Sequence, residues 1–225
     1  MKIAVLGTGM VGRALAGRLS GLGHDVTIGT RDPLATLARS EPDGMGNPPY
    51  STWAKAHPEV ALAPFRDAAV GAELVVNATN GSGAMPALEM AGADRFTGTV
   101  ILDISNPLDF SQGFPPTLFI KDTDSLGEQI QRAFPRARVV KTLNTLNADL
   151  MVDPASLGAE SSVFVSGDDA AAKTTVTALL ESFGHTDVID LGDISTARGT
   201  EMLLPVWLRL MGALGTAAFN FKIVR

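Results

Sequence analysis

The sequence predicts an α/β fold: a doubly wound, mainly parallel sheet with a smaller C-terminal α/β unit that ends in a long apolar helix. Two observations support this prediction. Short β-rich runs alternate with helical patterns along the 225 residues, which is typical of stacked βαβ units. The first of these runs also passes directly into a glycine-rich turn that opens a helix.

The elements can be assigned in order along the chain. Strands are predicted at Lys2–Leu6, Asp25–Gly29, Glu73–Asn77, Thr99–Asp103, Arg138–Lys141, Ser162–Ser166 and Asp187–Asp190, with a weaker one at Val60–Leu62. Helices are predicted at Met10–Leu22, Pro33–Ser40, Ala84–Ala91, Ser125–Phe134, Asp169–Phe183 and Ser195–Ala218. The segments Glu41–Tyr50 and Asn106–Pro116 are predicted to be long loops, and loops of such length often act as lids or binding loops.

The composition excludes several classes of protein. A net charge of −6 argues against a nucleic-acid partner, because phosphate backbones recruit basic surfaces. The chain has no cysteine, which excludes disulfides and thiolate chemistry. No stretch has the pattern of a signal peptide, so we expect a cytoplasmic protein. The apolar run Met202–Phe219 is interrupted by Pro205 and Arg209, which favours a core or dimer-interface helix over a membrane span.

The segment Gly7-Thr8-Gly9-Met10-Val11-Gly12 matches the pattern G-x-G-x-x-G between a strand and a helix. In this pattern the first glycine allows a tight turn and the second lets the backbone approach a pyrophosphate. The third lets the helix and the strand pack closely. Free N–H groups at the start of the helix then meet the phosphates. The turn therefore predicts a Rossmann sheet that binds a dinucleotide.

The end of the second predicted strand indicates which dinucleotide binds. NAD sites usually place an acid there to bond the ribose 2′-hydroxyl, whereas this strand ends in Thr30-Arg31. A guanidinium suits bidentate contact with a phosphate, so NADP(H) is favoured over NAD(H). Asp32 could instead be the ribose acid displaced by one position, but its place before Pro33 favours helix capping.

We therefore predict an NADP-binding Rossmann domain over residues 1–147. The C-terminal subdomain, residues 148–225, is expected to close the cleft and form a dimer interface.

Polar side chains also follow three later strands. In doubly wound sheets, ligands bind beyond the carboxyl ends of the strands, so these side chains are candidates for one common site. The candidates are Asn77, Thr79, Asn80, Gly81 and Ser82 after the third strand, Asp103, Ser105, Asn106 and Pro107 after the fourth, and Thr142, Asn144, Thr145 and Asn147 after the fifth.

This candidate site lacks the usual acid–base groups. None of the three histidines, His24, His57 and His185, follows a strand, and each is expected at the surface. The histidines and carboxylates show no metal-ligand spacing, so no metal is expected. Asp103 is the only acid at a strand end that could serve as a proton donor, and we expect it to brace the following loop by hydrogen bonding instead. A ketone acceptor needs a positioned acid, whereas a flavin-like ring delocalises the incoming charge itself. The pattern therefore favours a flavin-like acceptor, with no catalytic side chain beyond ring positioning.

The N-terminal turn, Gly23-His24-Asp25-Val26, Gly29-Thr30-Arg31 and Gly167-Asp168-Asp169 resemble segments of coenzyme F420-dependent NADP oxidoreductases. Near the C-terminus, Asp190–Arg198, Glu201, Leu203 and Pro205 continue this likeness. The segments Asp103–Asn106 and Val140–Thr145 are similar to the oxidoreductase domain of STEAP-type metalloreductases. The first family transfers hydride between NADP(H) and a deazaflavin, and the second passes hydride from NADPH to a flavin. The resemblance thus implies NADP(H) and a second redox partner, either coenzyme F420 or FMN/FAD.

The resemblance also implies roles for individual residues. Thr8, Met10 and Val11 would flank the pyrophosphate and the nicotinamide ribose, and Thr30 and Arg31 would hold the 2′-phosphate. Residues 77–80, Asn106 and Pro107 would border the nicotinamide. The deazaflavin would stack between the main domain and the C-terminal unit, and the final helix would pair two copies as a homodimer. For residues 195–198, a helix N-cap and an Arg198–Glu201 helix pair give a sufficient structural reason.

Two other functions stay open. The chain could reduce a small imine or carbonyl substrate, although such relatives usually append a long all-helical domain. It could also be a non-enzymatic NADP(H) sensor that binds a protein partner, in which case it would need no site for a second ring.

Overall fold

The computed structural model describes residues 1–42 and 46–225. Within these ranges, eight strands form one sheet in the order β10-β9-β8-β5-β4-β1-β2-β3, and two further strands form a short hairpin. The strands of the sheet are β1 (Lys2–Leu6), β2 (Asp25–Thr30), β3 (Ala61–Pro64), β4 (Leu74–Asn77), β5 (Val100–Asp103), β8 (Arg138–Thr142), β9 (Ser162–Ser166) and β10 (Asp187–Gly192). The hairpin strands are β6 (Leu108–Asp109) and β7 (Thr117–Leu118).

The described α-helices cover both faces of the sheet. They are α1 (Met10–Gly21), α2 (Pro33–Ala38), α3 (Tyr50–Ala56), α4 (Phe65–Ala68), α5 (Gly81–Ala91), α6 (Leu126–Ala133), α7 (Ala148–Val152), α8 (Ala170–Phe183), α9 (Ala197–Met202) and α10 (Leu204–Leu214). None of the helices in the described residues is long and apolar enough to cross a bilayer.

The prediction of a mainly parallel α/β sheet is confirmed. Every neighbouring pair in the large sheet is parallel except β8 and β9, which run antiparallel. Strand β1 is buried on both faces, as is typical of central parallel strands. Because side chains alternate along a strand, Ile3 and Val5 enter one hydrophobic core, and Ala4 and Leu6 enter the other. Strands β9 and β10 extend the same sheet, and the division of the chain at residue 147 stays a prediction.

The prediction of one long apolar helix over Ser195–Ala218 is wrong. The structure has a 3-10 turn at Ile194–Thr196, followed by the two short helices α9 and α10. Pro205 has no backbone N–H and lies in the first turn of α10, so it begins a new helix instead of continuing α9. Gly215, in the left-handed conformation, then ends α10. The tail returns to the sheet, where Ser162 N donates to the Phe221 carbonyl at 2.8 Å.

The predicted loops contain structure that the sequence reading missed. Residues 43–45 of the predicted loop Glu41–Tyr50 lie outside the described residues, and its last residue begins α3. The predicted loop Asn106–Pro116 contains β6, and this strand pairs with β7 just beyond the loop. Both elements are too short for periodicity to reveal them.

Candidate functional site

A cleft of about 930 Å³ opens at the carboxyl ends of β1, β2 and β4. The glycine turn, the start of α2 and the start of α5 surround it. Its lining residues are Gly7, Thr8, Gly9, Gly29, Thr30, Arg31, Asp32, Ala35, Thr36, Arg39, Phe65, Ala78, Thr79, Asn80, Ser82, Gly83, Pro86, Ala87 and Met90. All of these residues belong to the first ninety of the chain.

The geometry of the glycine turn fits a dinucleotide pyrophosphate. Gly7 has a φ of +121°, and a Cβ there would lie 2.6 Å from the Ala78 carbonyl oxygen. A Cβ on Gly12 would overlap the carbonyl oxygen of Gly7. A Cβ on Gly9, in contrast, would meet nothing within 4 Å, so the space above this residue is open. Gly7 and Gly12 therefore build the turn, and Gly9 leaves room for a ligand to approach the backbone.

Helix α1 presents its first backbone N–H groups to this space. Its N-cap is Gly9, and no side chain accepts a hydrogen bond from its first turn. Three other helices differ: Asn80, Ser125 and Asp169 cap α5, α6 and α8 with side-chain oxygens. An uncapped helix start combines unpaired N–H groups with the positive end of the helix dipole, which suits a phosphate.

The carboxyl end of β2 carries positive charge into the cleft. Arg31 is exposed and has no hydrogen-bond or ion-pair partner among the described residues. Asp32 is engaged as the N-cap of α2, where its Oδ1 accepts from Ala35 N at 3.0 Å. Arg39 also lines the cleft, and its Nη2 donates to Thr36 Oγ1 at 3.3 Å. The sequence reading missed Arg39 because it lies eight positions beyond Arg31, at the end of α2.

The loop after β4 forms the opposite wall. Ala78, Thr79 and Asn80 line the cleft, and Asn80 caps α5 through Gly83 N at 2.8 Å. Asn77 is fully buried beneath this wall, where its Oδ1 accepts from Thr79 Oγ1 at 2.7 Å. Apolar side chains complete this side of the cleft, namely Phe65, Pro86, Ala87 and Met90.

Several predicted site residues do not line this cleft. Within the turn, Met10 is 40% exposed, Val11 packs against a core, and Gly12 is buried. The candidates after β5 and β8 lie deeper and bond with one another. Asn106 Nδ2 donates to the Asn144 carbonyl at 2.9 Å, and Asn144 Nδ2 donates to Asn106 Oδ1 at 3.0 Å.

Two further candidates are also buried. Thr142 Oγ1 donates to the Phe164 carbonyl at 2.7 Å, and Pro107 is buried in the loop that follows β5. None of the candidates after β5 and β8 is among the residues that line the cleft, and their predicted roles stay predictions.

A fully buried ionic cluster lies at the ends of β5 and β8. It consists of Asp103, Lys141 and Glu201, and we call it the buried cluster. Lys141 Nζ lies 2.8 Å from Asp103 Oδ2 and 2.8 Å from Glu201 Oε1, and all three side chains have zero exposure. Burial opposes the charge on the ammonium, but the two carboxylates outweigh it, so the pKa of Lys141 is raised.

The sequence reading missed Lys141 and Glu201. One signal was available for Lys141: it lies within the apolar strand β8, and a lysine is almost never fully buried unless it is paired. The sequence could not show that its partners lie at positions 103 and 201.

Two further predictions are wrong. Arg198 does not pair with Glu201; it bonds Glu128 of α6 through Nε at 2.8 Å and Nη2 at 2.6 Å. The hydrogen bond from Arg198 lowers the pKa of Glu128. His185 is not at the surface: it is 3% exposed and its Nε2 donates to the Met151 carbonyl at 3.0 Å. Both corrections arise from tertiary contacts that sequence spacing does not show.

Comparison with known proteins identifies relatives along the whole chain. The family model described as NADP oxidoreductase, coenzyme F420-dependent, matches residues 2–107. A solved structure from Arthrobacter sp. FB24, provisionally described as an F420-dependent NADP reductase, shares 67% identity and a TM-score of 0.96, with 100% of both chains covered.

More distant proteins share the fold or a part of the sequence. The metalloreductase STEAP3 of Rattus norvegicus is 28% identical over 211 residues, which are 92% of this chain but 38% of STEAP3. The chain thus spans less than half the length of that relative. An imine reductase from Myxococcus stipitatus has a TM-score of 0.61 at 17% identity, with 95% of this chain and 63% of that chain covered, which shows a shared fold alone.

The 67% identity over the full length of a solved relative agrees with the match of the N-terminal half to the family model. The chain therefore belongs to the family of coenzyme F420-dependent NADP oxidoreductases.

Proposed function

We propose that this protein transfers hydride between NADPH and a deazaflavin, coenzyme F420. The observation that carries the NADP(H) part is one edge of the cleft, where Arg31 after β2 and Arg39 after α2 line the cleft while Asp32 is engaged in capping α2. An acid occupied by a helix cap is a poor partner for a ribose 2′-hydroxyl. Two guanidinium groups at the same edge favour a 2′-phosphate.

The lining of the cleft suggests how the adenosine half would be held. The uncapped start of α1 would take the pyrophosphate, and Arg31, Arg39 and Thr30 would surround the 2′-phosphate. The apolar side formed by Phe65, Pro86 and Met90 would receive the adenine. When bound, NADPH would supply a hydride from its nicotinamide ring. The chain's own part would be to orient that ring and to exclude water.

The acceptor is proposed from the family, whose description names coenzyme F420, and from the 67% identity with a relative described as an F420-dependent NADP reductase. A flavin, FMN or FAD, is the second candidate. STEAP3 is similar to 92% of this chain, and the STEAP-type resemblance implies hydride transfer from NADPH to a flavin.

Rapid mixing tests the acceptor. The purified protein is mixed with NADPH and then with F420, FMN or FAD in separate reactions, and the absorbance of the acceptor is followed. We expect F420 to be reduced fastest. Reduction of FMN or FAD alone would replace the deazaflavin by a flavin. Turnover of an imine substrate instead of F420, FMN or FAD would contradict the proposal. So would the absence of turnover with any acceptor.

An Arg31→Ala variant tests the cofactor. A charge-assisted hydrogen bond contributes about 1.5–3 kcal/mol, so the Kd for NADPH should rise about ten- to a hundredfold. The Kd for NADH should change little, because NADH lacks the phosphate. Calorimetric titration measures both values. Arg136→Ala, which removes an exposed arginine before β8 and outside the cleft, is the matched control. Equal losses for both cofactors in Arg31→Ala would contradict the assigned role.

A further inference from the structure

The hydrogen bonds and ion pairs of the buried cluster connect four parts of the chain. Lys141 Nζ donates to Asp103, to Glu201 and to the Ser105 carbonyl. Glu201, on α9, accepts from Leu126 N at 2.8 Å and Gly127 N at 3.0 Å. These two N–H groups belong to the first turn of α6, whose dipole favours the extra negative charge. The cluster thus ties α9 and α6 to the ends of β5 and β8.

From this cluster, one chain of hydrogen bonds leads to the wall of the cleft. Asp103 Oδ1 accepts from Asn77 Nδ2 at 2.7 Å, and Asn77 Oδ1 accepts from Thr79 Oγ1 at 2.7 Å. Thr79 lines the cleft, and the neighbouring Ala78 carbonyl lies against Gly7 of the phosphate turn. The cluster is therefore two hydrogen bonds away from the surface that a dinucleotide would contact.

A second chain leads from the cluster into the loop after β5. Ser105 donates to Asp103 Oδ1 through Oγ at 2.7 Å and through its backbone N at 3.2 Å, while its carbonyl accepts from Lys141. The next residue, Asn106, exchanges two amide hydrogen bonds with Asn144. The Asn106 carbonyl also lies so close to Gly81, the first residue of α5, that a Cβ there would overlap it.

We propose that the buried cluster positions the nicotinamide half of bound NADPH by fixing two loops, residues 77–80 and 105–107. This proposal rests on the proposed function. Buried ion pairs are often no more stabilising than apolar side chains of the same volume, so stability alone is a weak reason for three buried charges here. Apolar side chains could not hold the Ser105 carbonyl or the Asn77 amide in place. Asp103, Lys141 and Glu201 are thus positioning residues.

The test compares two ligands in one variant. Glu201→Gln keeps the size of the side chain but removes its charge and one of its two acceptor oxygens. The ligands are NADPH and 2′,5′-ADP, which carries the 2′-phosphate but lacks the nicotinamide. Calorimetry gives both Kd values without any electron acceptor. We expect the Kd for NADPH to rise about tenfold and that for 2′,5′-ADP to change by less than about twofold.

The control variant is Glu128→Gln. It breaks the Arg198–Glu128 pair, which also joins α9 to α6 but contacts neither loop. Both Kd values should then stay as in the unmodified protein, although the Tm falls. If Glu201→Gln fails to fold, Ser105→Ala is the second variant, because it removes one donor to Asp103. It should raise the Kd for NADPH by a smaller factor than Glu201→Gln and leave the Kd for 2′,5′-ADP nearly unchanged.

Other outcomes would overturn the proposal in distinguishable ways. Equal weakening of both ligands, or no change in either Kd, would mean that the cluster only stabilises the fold. If the unmodified protein binds neither ligand, the proposed function itself fails, and this inference fails with it.

Discussion

The two sides of the cleft region are built by different means. Arg31 follows β2 and Arg39 follows α2, eight positions later, and both side chains are exposed to solvent at one edge of the cleft. At the ends of β5 and β8, the buried cluster joins residues as far apart as positions 103 and 201, and its side chains have zero exposure. An exposed cation can be replaced at little cost to the fold, whereas a buried one cannot.

This difference separates residues proposed to recognise the cofactor from residues that stabilise the fold and its loops. We expect one substitution at the exposed edge to change the cofactor preference, because Arg31 has no hydrogen-bond or ion-pair partner among the described residues. The buried cluster links β5, β8, α6 and α9, so any change there alters stability and loop position together. We therefore expect changes at the cluster to alter stability and NADPH affinity together, and changes at the arginines to alter binding alone.

The largest expected effect is at Lys141. Lys141→Met removes the ammonium and leaves two carboxylates buried without it, which should lower the free energy of unfolding by about 3–5 kcal/mol. Denaturant titration measures the change. Arg198→Met is the comparison: its partner Glu128 keeps the hydroxyl of Ser125, and the pair is partly exposed, so a loss of about 1 kcal/mol is expected. A smaller loss for Lys141→Met than for Arg198→Met would break the contrast between buried and exposed charges.

A pair of glycine variants sharpens the contrast within the turn itself. In Gly12→Ala the new Cβ would overlap the Gly7 carbonyl, so about 1–3 kcal/mol of stability should be lost. In Gly9→Ala the Cβ meets open space, and the φ of −74° is allowed for alanine, so stability should change by less than about 0.5 kcal/mol.

The two glycine variants should also differ in binding, and there the larger effect is expected for Gly9→Ala. The methyl group of Gly9→Ala would occupy the space through which a pyrophosphate approaches, and the Kd for NADPH should rise at least about tenfold. Thermal melts and calorimetry measure the two properties. Unchanged NADPH affinity in Gly9→Ala would place the pyrophosphate away from this turn.

The sequence predicted those parts of the molecule that depend on neighbours in the chain. The strands β1 and β9 were predicted to the residue, and the glycine turn has the geometry that its pattern requires. The cap at Asp32 follows from its place before Pro33. In each case the physical cause lies within a few positions, so it can be read locally.

The parts that depend on tertiary contacts were missed or wrong. A lysine in β8 gives no sign that its partners are Asp103 and Glu201, and Arg198 had a carboxylate three positions away but bonds Glu128 of another helix. The break between α9 and α10 is the exception. Pro205 was visible in the sequence, and its missing N–H was a sufficient reason to divide the predicted helix.

The smallest expected effect concerns pH, and it should differ between the affinity of the cleft for NADPH and the stability of the fold. No histidine is among the described residues that line the cleft, and a phosphate with a second pKa of about 6 is mostly dianionic above pH 7, so the affinity for NADPH should change little between about pH 7 and 8. Stability should respond, because burial lowers the pKa of His185 below its ordinary value of 6.5. Below pH 6.5 the unfolded chain takes up a proton that the folded ring resists, so the free energy of unfolding falls as the pH falls.

A histidine variant isolates this effect. His185→Gln should flatten the decrease in stability below pH 6.5, as measured by denaturant titration at several pH values. His24→Gln is the matched control: burial and the nearby N-terminal ammonium also lower the pKa of His24, but its ring is more exposed, so the change in slope should be smaller. An unchanged slope in His185→Gln would show that other groups cause the pH dependence. A large change in NADPH affinity between about pH 7 and 8 would show instead that a titrating group of the protein contacts the cofactor.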